Sequence, residues 1–178
     1  SLNMKKKYLY TKNVISKDMC NFITNWLFKK MQSFPSDPQV INSPAIHSRD
    51  DHVMQAVLNY VKPKIEKATK LKLKSIYAYS RIYKEGADLK PHRDRQACEI
   101  SCSITLNYNY KDKKYYWPLY MANKPINIKK GDGVIYKGRE ITHSRKKFKE
   151  KNPSWQHQIF LHYVDLNGPF ANLEEEIN

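Results

Sequence analysis

The first apolar pattern in the chain has a helical period. After Ser16, apolar residues recur at steps of three and four, at Met19, Phe22, Ile23, Trp26 and Leu27. That spacing places them on one face of a helix, and a serine hydroxyl can accept from free N–H groups at a helix start. The pattern therefore predicts an amphipathic helix that runs from Ser16 to about Met31.

A second helical pattern follows a proline-rich connection. Residues 34–44 contain three prolines with polar residues between them, which we interpret as a surface connection without regular structure. Beyond it, apolar residues are spaced by four, at Val53, Val57, Val61 and Ile65. Pro63 lacks a backbone donor and clashes with the preceding turn, so we expect it to kink this helix or to restart it.

From Lys74 onward the period of the apolar pattern changes to two. Short runs rich in β-branched and aromatic residues predict strands at Ser75–Tyr83, Glu99–Tyr110, Tyr116–Met121, Ile126–Lys129, Val134–Tyr136 and Gln158–Val164. The gaps between them are too short for helices, so the sheet should be mainly antiparallel. We predict an α+β fold, mainly β, with the two helices packed outside a sandwich or barrel.

The length of 178 residues suits one domain. We expect a single domain over residues 1–178, with helical support over about 14–72 and a β core over about 74–166. No apolar run reaches the roughly 18 residues that a membrane-spanning helix needs, so we expect no membrane partner. The three cysteines include no Cys-x-x-Cys pair, so we expect buried free thiols and a cytoplasmic location.

The formal net charge is +15, from 32 Lys and Arg against 17 Asp and Glu. This excess makes nucleic acid a candidate partner. The basic residues, however, are mostly lysines spread over separate segments, which is also typical of a surface that favours solubility. Nucleic-acid binding is therefore a secondary hypothesis. We interpret the acidic residues 174–176 as a solvated tail.

The segment between Tyr83 and Arg95 carries the most informative spacing. His92 and Asp94 are two residues apart. On an extended backbone they point to the same side and offer an imidazole nitrogen and a carboxylate oxygen to one ion. His143 follows a Gly-Asp-Gly turn that leads into a strand able to pack across from the first. We predict that these two histidines and the aspartate hold a metal.

The ligand set narrows the identity of the metal. Two histidines and one carboxylate occupy one face of an octahedral ion and leave its other positions open, which suits non-haem Fe(II). Zn²⁺ accepts the same ligands with a water in the fourth position, which would give a hydrolase. The three ligands alone leave both metals open.

The His-x-Asp pair with a distant histidine, preceded by Tyr83 and Gly86, resembles the Fe(II)- and 2-oxoglutarate-dependent dioxygenases, in particular the prolyl 4-hydroxylase-like branch. The resemblance covers roughly Ser75–Asp165. It implies a double-stranded β-helix, or jelly-roll, core whose last strand is Gln156–Asp165. It also implies Fe(II) as the cofactor, 2-oxoglutarate and O2 as cosubstrates, and ascorbate as a candidate reductant.

By the same resemblance, Tyr83 hydrogen-bonds the cosubstrate. The family usually has a Lys or Arg nine or ten residues after the second histidine, to pair with the distal carboxylate of 2-oxoglutarate, but Asn and Pro stand there in this chain. Another cation must take that role. We predict Arg145 first and Arg81 second, because a guanidinium can bind a carboxylate through two hydrogen bonds. Gln158 is a candidate for a further, neutral hydrogen bond.

The resemblance implies hydroxylation of a peptide or protein, as in prolyl hydroxylases. One alternative is an oxidative nucleic-acid demethylase with the same chemistry, which the charge of +15 favours. Those demethylases have an arginine-rich final strand, whereas Gln156–Val164 contains no arginine. A second alternative is a metal-containing module that binds nucleic acid or another acidic partner without oxygenase activity. Phosphate-driven binding of that kind should weaken steeply with salt.

Overall fold

The computed structural model describes residues 6–178, so the single-domain prediction includes five residues that lie outside this range. Within the described range, two helices and ten strands follow in this order: β1 (Tyr8–Thr11), α1 (Lys17–Met31), β2 (Ala45–His47), α2 (His52–Thr69), β3 (Leu73–Tyr83), β4 (Leu89–His92), β5 (Ile100–Asn109), β6 (Leu119–Met121), β7 (Lys124–Ile126), β8 (Gly133–Tyr136), β9 (His143–Arg145) and β10 (Trp155–Asp165). No helix in residues 6–178 is long and apolar enough to cross a membrane.

Helix α1 has the bounds that its sequence pattern predicts. The hydroxyl of Ser16 accepts a hydrogen bond from the backbone N–H of Met19 at 3.2 Å, which is the expected cap. Phe22 and Trp26 were expected on the buried face and are exposed. Successive residues are about 100° apart around a helix, so these two lie beside the face that is buried. That face consists of Cys20, Ile23, Thr24, Leu27 and Met31.

Helix α2 is continuous through Pro63, so the expected restart was wrong. Pro63 removes the hydrogen bond that the carbonyl of Asn59 would otherwise accept. Both residues lie on the exposed side of the helix, where water can satisfy that carbonyl. The predicted apolar spacing is confirmed, because Val57, Val61 and Ile65 are all buried.

The larger sheet has six antiparallel strands in the order β1-β8-β5-β10-β3-β2. Strand β10 lies near its middle and pairs with β3 on one side and β5 on the other. Alternate residues of β10, including Ile159, Leu161 and Tyr163, pack in the main hydrophobic core with residues of both helices. Cys20 and Cys102 lie in the same core, and all three cysteines are buried and free, as expected.

The smaller sheet has four antiparallel strands in the order β4-β9-β6-β7. It packs against the other face of the larger sheet, where Leu119 and Met121 meet Val134 and Tyr136. The protein thus has two layers of β-sheet with both helices outside them. This confirms the predicted α+β, mainly β architecture and its antiparallel pairing.

Several strand bounds differ from the predictions. The run Tyr116–Met121 contributes the three-residue strand β6, and the predicted strand Ile126–Lys129 was wrong, because β7 begins at Lys124. Ala122 and Asn123 have positive φ angles of 47° and 70° and form a two-residue hairpin turn. That turn returns the chain to the sheet at once. The short strands β1, β2, β4 and β9 were not predicted.

The connection at residues 34–44 is irregular, as predicted, but it is not a simple surface loop. Asp37, Val40 and Ser43 are buried. The backbone N–H of Asp37 donates to the carbonyl of Ser43 at 2.8 Å, which closes the loop on itself. Its burial has an electrostatic cause, since the carboxylate of Asp37 pairs with the buried guanidinium of Arg81.

Candidate metal centre

The smaller sheet places His92 and His143 directly opposite each other, in the pairing of β4 with β9. Opposite residues of an antiparallel pair have Cβ atoms about 5 Å apart, so the two imidazoles are neighbours. Asp94 lies two residues beyond the first histidine, where β4 has ended, and its backbone N–H donates to the carbonyl of Gly138 at 2.8 Å. The structure thus brings the three predicted ligands together.

The donor atoms have a spacing that suits one ion. Nε2 of His92 lies 3.2 Å from Oδ1 of Asp94, and Nε2 of His143 lies 3.2 Å from Oδ2. One ligand atom from each of the three residues lies within 4.8 Å of the others. Ligands about 2.1 Å from a common ion and at right angles to each other are about 3 Å apart, so a small divalent metal fits.

Each histidine is held in the tautomer that a metal requires. Nδ1 of His92 lies 2.7 Å from the carbonyl oxygen of Lys90, and Nδ1 of His143 lies 3.0 Å from that of Ile141. A carbonyl accepts but does not donate, so Nδ1 carries the proton in both rings. Nε2 of each ring therefore faces Asp94, where it can bind a metal in place of a proton, as in metal-ligating histidines.

The carboxylate is held in its anionic form. Burial acts to raise the pKa of Asp94, but the hydrogen bonds with His143 and His92 outweigh it and keep that pKa well below its ordinary value. The same contact with Asp94 raises the pKa of His92 against the effect of burial. The carboxylate therefore favours positive charge on its neighbours, and a divalent cation can provide that charge in place of a proton.

A glycine makes room for this carboxylate. A Cβ atom on Gly138 would lie 2.8 Å from Oδ2 of Asp94 and 2.6 Å from the carbonyl oxygen of Cys98. Both contacts are shorter than van der Waals distance, and the second is with backbone. Any side chain at Gly138 must therefore displace both the carboxylate and the 3-10 turn that ends at Cys98.

We expect Gly138→Ala to weaken metal binding roughly tenfold to a hundredfold, the range for disturbing the groups that orient metal ligands. Titration of the protein with Co(II), followed by its visible absorption, measures this. Gly168→Ala is the control, because its Cβ would also meet a neighbour, at 3.0 Å, but that neighbour is Asp165 and not a ligand. Equal Co(II) affinity in the two variants would contradict the role of Gly138.

A cavity of about 340 Å³ opens on the three residues. This volume can hold a small organic ligand. Strands β3 and β10 and the connection at residues 34–44 also line this cavity. Their side chains there include Asp37, Tyr79, Arg81, Phe160 and His162.

Arg81, the second-choice cation, is already paired. Its Nε and Nη2 donate to Oδ2 of Asp37 at 3.2 and 2.7 Å, and its Nη1 donates to the hydroxyl of Tyr83 at 2.9 Å. Tyr79 also donates to Asp37, at 2.7 Å. The charge of this guanidinium is thus neutralised within the protein.

Arg145, the first-choice cation, is buried and incompletely paired. Its Nη1 donates to the carbonyl of Trp117 at 3.0 Å. Its Nε and Nη2 have no hydrogen-bond partner among the described residues, and neither does Oγ1 of Thr105. Both residues line one cavity of about 200 Å³. Burial lowers the pKa of Arg145, yet a guanidinium stays cationic in proteins, so the site lacks an anion.

The other two predicted cosubstrate contacts both have partners within the protein. Tyr83 is fully buried, its hydroxyl accepts from Arg81, and its ring centroid lies 5.7 Å from the guanidinium carbon of Arg145. Gln158 is already engaged, because it donates to Oγ of Ser103 at 3.1 Å and accepts from the amide of Gln156 at 3.0 Å. The assignment of Gln158 as a cosubstrate contact stays a prediction.

Three residues of the site were missed in the sequence. Thr105 lies on the same face of β5 as Ser103, but nothing in the sequence indicates that its hydroxyl lacks a partner. Asp37 and Gly138 lie in irregular segments. Nothing in their local sequence indicates which side chain they meet.

Two further histidines lie on opposite faces of β10 and are buried. His157 bonds Thr24 and Ser80, and His162 bonds Ser101. Burial lowers the pKa of His157 to about 3 and that of His162 to about 4. Both rings are therefore neutral at pH 7.

Comparison with known proteins gives matches of structure but not of sequence: no family model and no curated sequence matches the chain. The viral collagen prolyl hydroxylase of Paramecium bursaria Chlorella virus 1, in a 2-oxoglutarate complex, is similar with a TM-score of 0.67 and 15% identity, over 92% of this chain and 98% of that chain. A Pseudomonas putida prolyl-4-hydroxylase has a TM-score of 0.64 and 11% identity, over 89% and 92%.

HygX from Streptomyces hygroscopicus, with nickel and 2-oxoglutarate bound, is similar with a TM-score of 0.66 and 8% identity, over 90% of this chain and 84% of that chain. The viral enzyme and HygX were solved with 2-oxoglutarate bound, and the likeness extends over nearly the whole chain. The chain therefore has the fold of the Fe(II)- and 2-oxoglutarate-dependent dioxygenases, prolyl hydroxylases among them, which is the family that its His-x-Asp and distant His resemble.

Proposed function

We propose that this protein is a non-haem Fe(II) dioxygenase that uses 2-oxoglutarate, with His92, Asp94 and His143 as the metal ligands. The observation that carries the proposal is Arg145, a buried guanidinium with two unpaired nitrogens on the same strand as His143. A zinc hydrolase has no need of such a cation. A dicarboxylate cosubstrate needs one for the carboxylate that does not bind the metal.

Strand β9 sets the distance between the metal ligand His143 and the proposed carboxylate-binding residue Arg145. Residues 143 and 145 lie on the same face of the strand, about 6.6 Å apart along it. Arg145 lines a different cavity from the metal triad, so a five-carbon dicarboxylate would reach from one cavity into the other. Arg145 would bind the distal carboxylate through its free Nε and Nη2, and the hydroxyl of Thr105 would add a third hydrogen bond. Tyr83 lies beside this position.

The protein's own residues would position and protect the reactants. When bound, Fe(II) and 2-oxoglutarate supply the oxidising chemistry, in which O2 and the keto acid give succinate and carbon dioxide while a C–H bond of the acceptor becomes C–OH. The carbonyls of Lys90 and Ile141 keep both histidines in the ligating tautomer. Leu119 and Phe160 add apolar surface to the cavity that opens on the metal triad.

We infer that the acceptor is a peptide or protein. Two similar structures are prolyl hydroxylases, and this likeness supports the inference. Oxidative demethylation of nucleic acid is less favoured, because β10 contains no arginine. The charge of +15 leaves nucleic acid as the alternative to test in parallel.

The decisive experiment follows the cosubstrate. Protein loaded anaerobically with Fe(II) receives labelled 2-oxoglutarate and ascorbate, and succinate and carbon dioxide are measured after O2 is admitted. We expect the two products in equal amounts, at a low rate without an acceptor. No product, together with no 2-oxoglutarate binding to the metal-loaded protein, would overturn the proposal in favour of a zinc hydrolase or a binding module.

A further inference from the structure

The acidic residues 174–176, expected to be a solvated tail, include one carboxylate that is bound by three side chains. Arg95 donates to both oxygens of Glu176 at 2.8 Å. Nε2 of His47 lies 3.1 Å from Oε1, and Nη2 of Arg49 lies 3.9 Å from it. The interpretation as a free tail was therefore wrong for Glu176, because a cationic cluster of Arg49, Arg95 and His47 holds it.

The cluster is built to bind an anion. Nδ1 of His47 accepts from the backbone N–H of Arg49 at 2.9 Å, so its Nε2 carries a proton and donates to the carboxylate even in the neutral ring. His47 stacks on Tyr77 with ring centroids 4.8 Å apart, and the guanidinium of Arg95 lies 4.7 Å from the same ring. Two arginines face one glutamate, so the cluster stays cationic with Glu176 bound.

The cluster adjoins the candidate active site. Arg95 directly follows the ligand Asp94, and Arg95 and His47 line the same cavity as the metal triad. The side chains of Arg95 and Arg49 are 55% and 44% exposed, so another anion can reach them from solvent. An acceptor that enters this cavity therefore passes a cationic site that is already occupied by a carboxylate.

The backbone at Glu176 is also held, by one hydrogen bond to β3. Its N–H donates to the carbonyl of Ile76 at 2.8 Å. Strand β2 covers β3 from Tyr79 to Arg81, so Ile76 lies on the uncovered part of that edge. The site therefore holds a glutamate through its carboxylate and its backbone N–H together. A peptide ligand offers both groups.

We propose that Arg49, Arg95 and His47 recognise a glutamate or aspartate side chain of an acidic peptide acceptor, and that Glu176 is an internal competitor for that site. The inference rests on the proposed function in that the peptide is the acceptor of that reaction. The segment itself has other anchors. Phe170 and Leu173 pack against the cluster of Ile76, Ala97 and Val164, so loss of the Glu176 carboxylate should free the site without releasing the segment.

The test measures binding in the absence of metal and 2-oxoglutarate, so its result is independent of oxygenase activity. The probe is a fluorescein-labelled octapeptide of alternating Pro and Glu, followed by fluorescence anisotropy at physiological salt. We expect Glu176→Ala to bind it roughly fivefold more tightly than the unaltered protein, as suits the release of an exposed ion pair. Adding Arg95→Gln to that variant should remove the gain.

Glu174→Ala is the matched control. It removes the same charge from the same segment, but the Glu174 side chain is 89% exposed and its ion-pair partner is Lys74, at 3.9 Å. We expect its affinity to stay within about twofold of the unaltered protein. An equal gain in both variants would overturn the proposal, since general electrostatics would then explain it. A larger gain for a single-stranded oligonucleotide than for the peptide would overturn the assignment to a peptide.

Discussion

Replacing Asp94 with alanine should lower the rate of succinate formation by about a thousandfold or more. Asp94 is the carboxylate between the two histidines, 3.2 Å from Nε2 of each. Its loss leaves two neutral ligands and no fixed negative charge for the cation. A metal that contributes several kcal/mol to a transition state is then poorly held, and about 4 kcal/mol corresponds to a thousandfold in rate. The rate of succinate formation and the affinity for Co(II) should fall together.

Asp88→Ala is the control for this variant. Asp88 lies just before β4 and pairs with the exposed Lys90 at 3.1 Å, so its loss removes an acidic group from the same segment without touching the metal site. Its turnover should stay near that of the unaltered protein. If Asp94→Ala keeps its activity while thermal unfolding shows an intact fold, the ligand assignment is wrong.

The sequence predicts the elements whose local pattern agrees with their final environment. Helix α1 has both a capping serine and a helical apolar period, and its bounds are those predicted. Strands β3, β5 and β10 are long enough, at 10 or 11 residues, for a period of two to be visible. Strands β4 and β9 have four and three residues. Pairing with each other, rather than local preference, makes them strands.

The difference between local pattern and pairing in the folded protein also applies to the candidate site. The spacing of His92 and Asp94 is local and can be read directly, whereas the position of His143 depends on how β9 pairs with β4. The Gly-Asp-Gly turn before it, which leads into a strand able to pack across from the first, predicted that third residue. Thr105 contributes a hydroxyl that has no hydrogen-bond partner among the described residues, and Gly138 contributes space for the carboxylate of Asp94. Such properties exist in the folded protein alone, so sequence patterns do not reveal them.

The two candidate cations for the cosubstrate differ in what the protein provides for them. Arg81 has a carboxylate partner in Asp37, at 2.7 Å and buried with it. Arg145 has two unpaired nitrogens in a buried position. A buried donor without a partner costs about 1–3 kcal/mol of stability. A protein that keeps such a group is expected to gain from it elsewhere, most simply by binding an anion.

Opposite effects on stability should therefore follow when each arginine is replaced by methionine. Arg145→Met removes unpaired buried donors and should raise the free energy of unfolding of the ligand-free protein by about 1–2 kcal/mol. Arg81→Met leaves Asp37 buried without its cation and should lower that free energy by about 3–5 kcal/mol. Urea denaturation of the metal-free proteins measures both. A destabilised Arg145→Met protein would mean that this guanidinium serves the fold.

Arg145→Met, the more stable of the two variants, should also have the lower affinity for 2-oxoglutarate. We expect Arg145→Met to weaken 2-oxoglutarate binding about a hundredfold, the loss of two hydrogen bonds between charged groups. Titration of the Co(II)-loaded protein measures this. The affinity for 2-oxobutyrate, which lacks the distal carboxylate, should be the same with and without Arg145. Equal losses of affinity for both keto acids would show that Arg145 acts on the metal-binding end, which the two molecules share. A cation that binds only the distal carboxylate does not affect 2-oxobutyrate, which lacks that group.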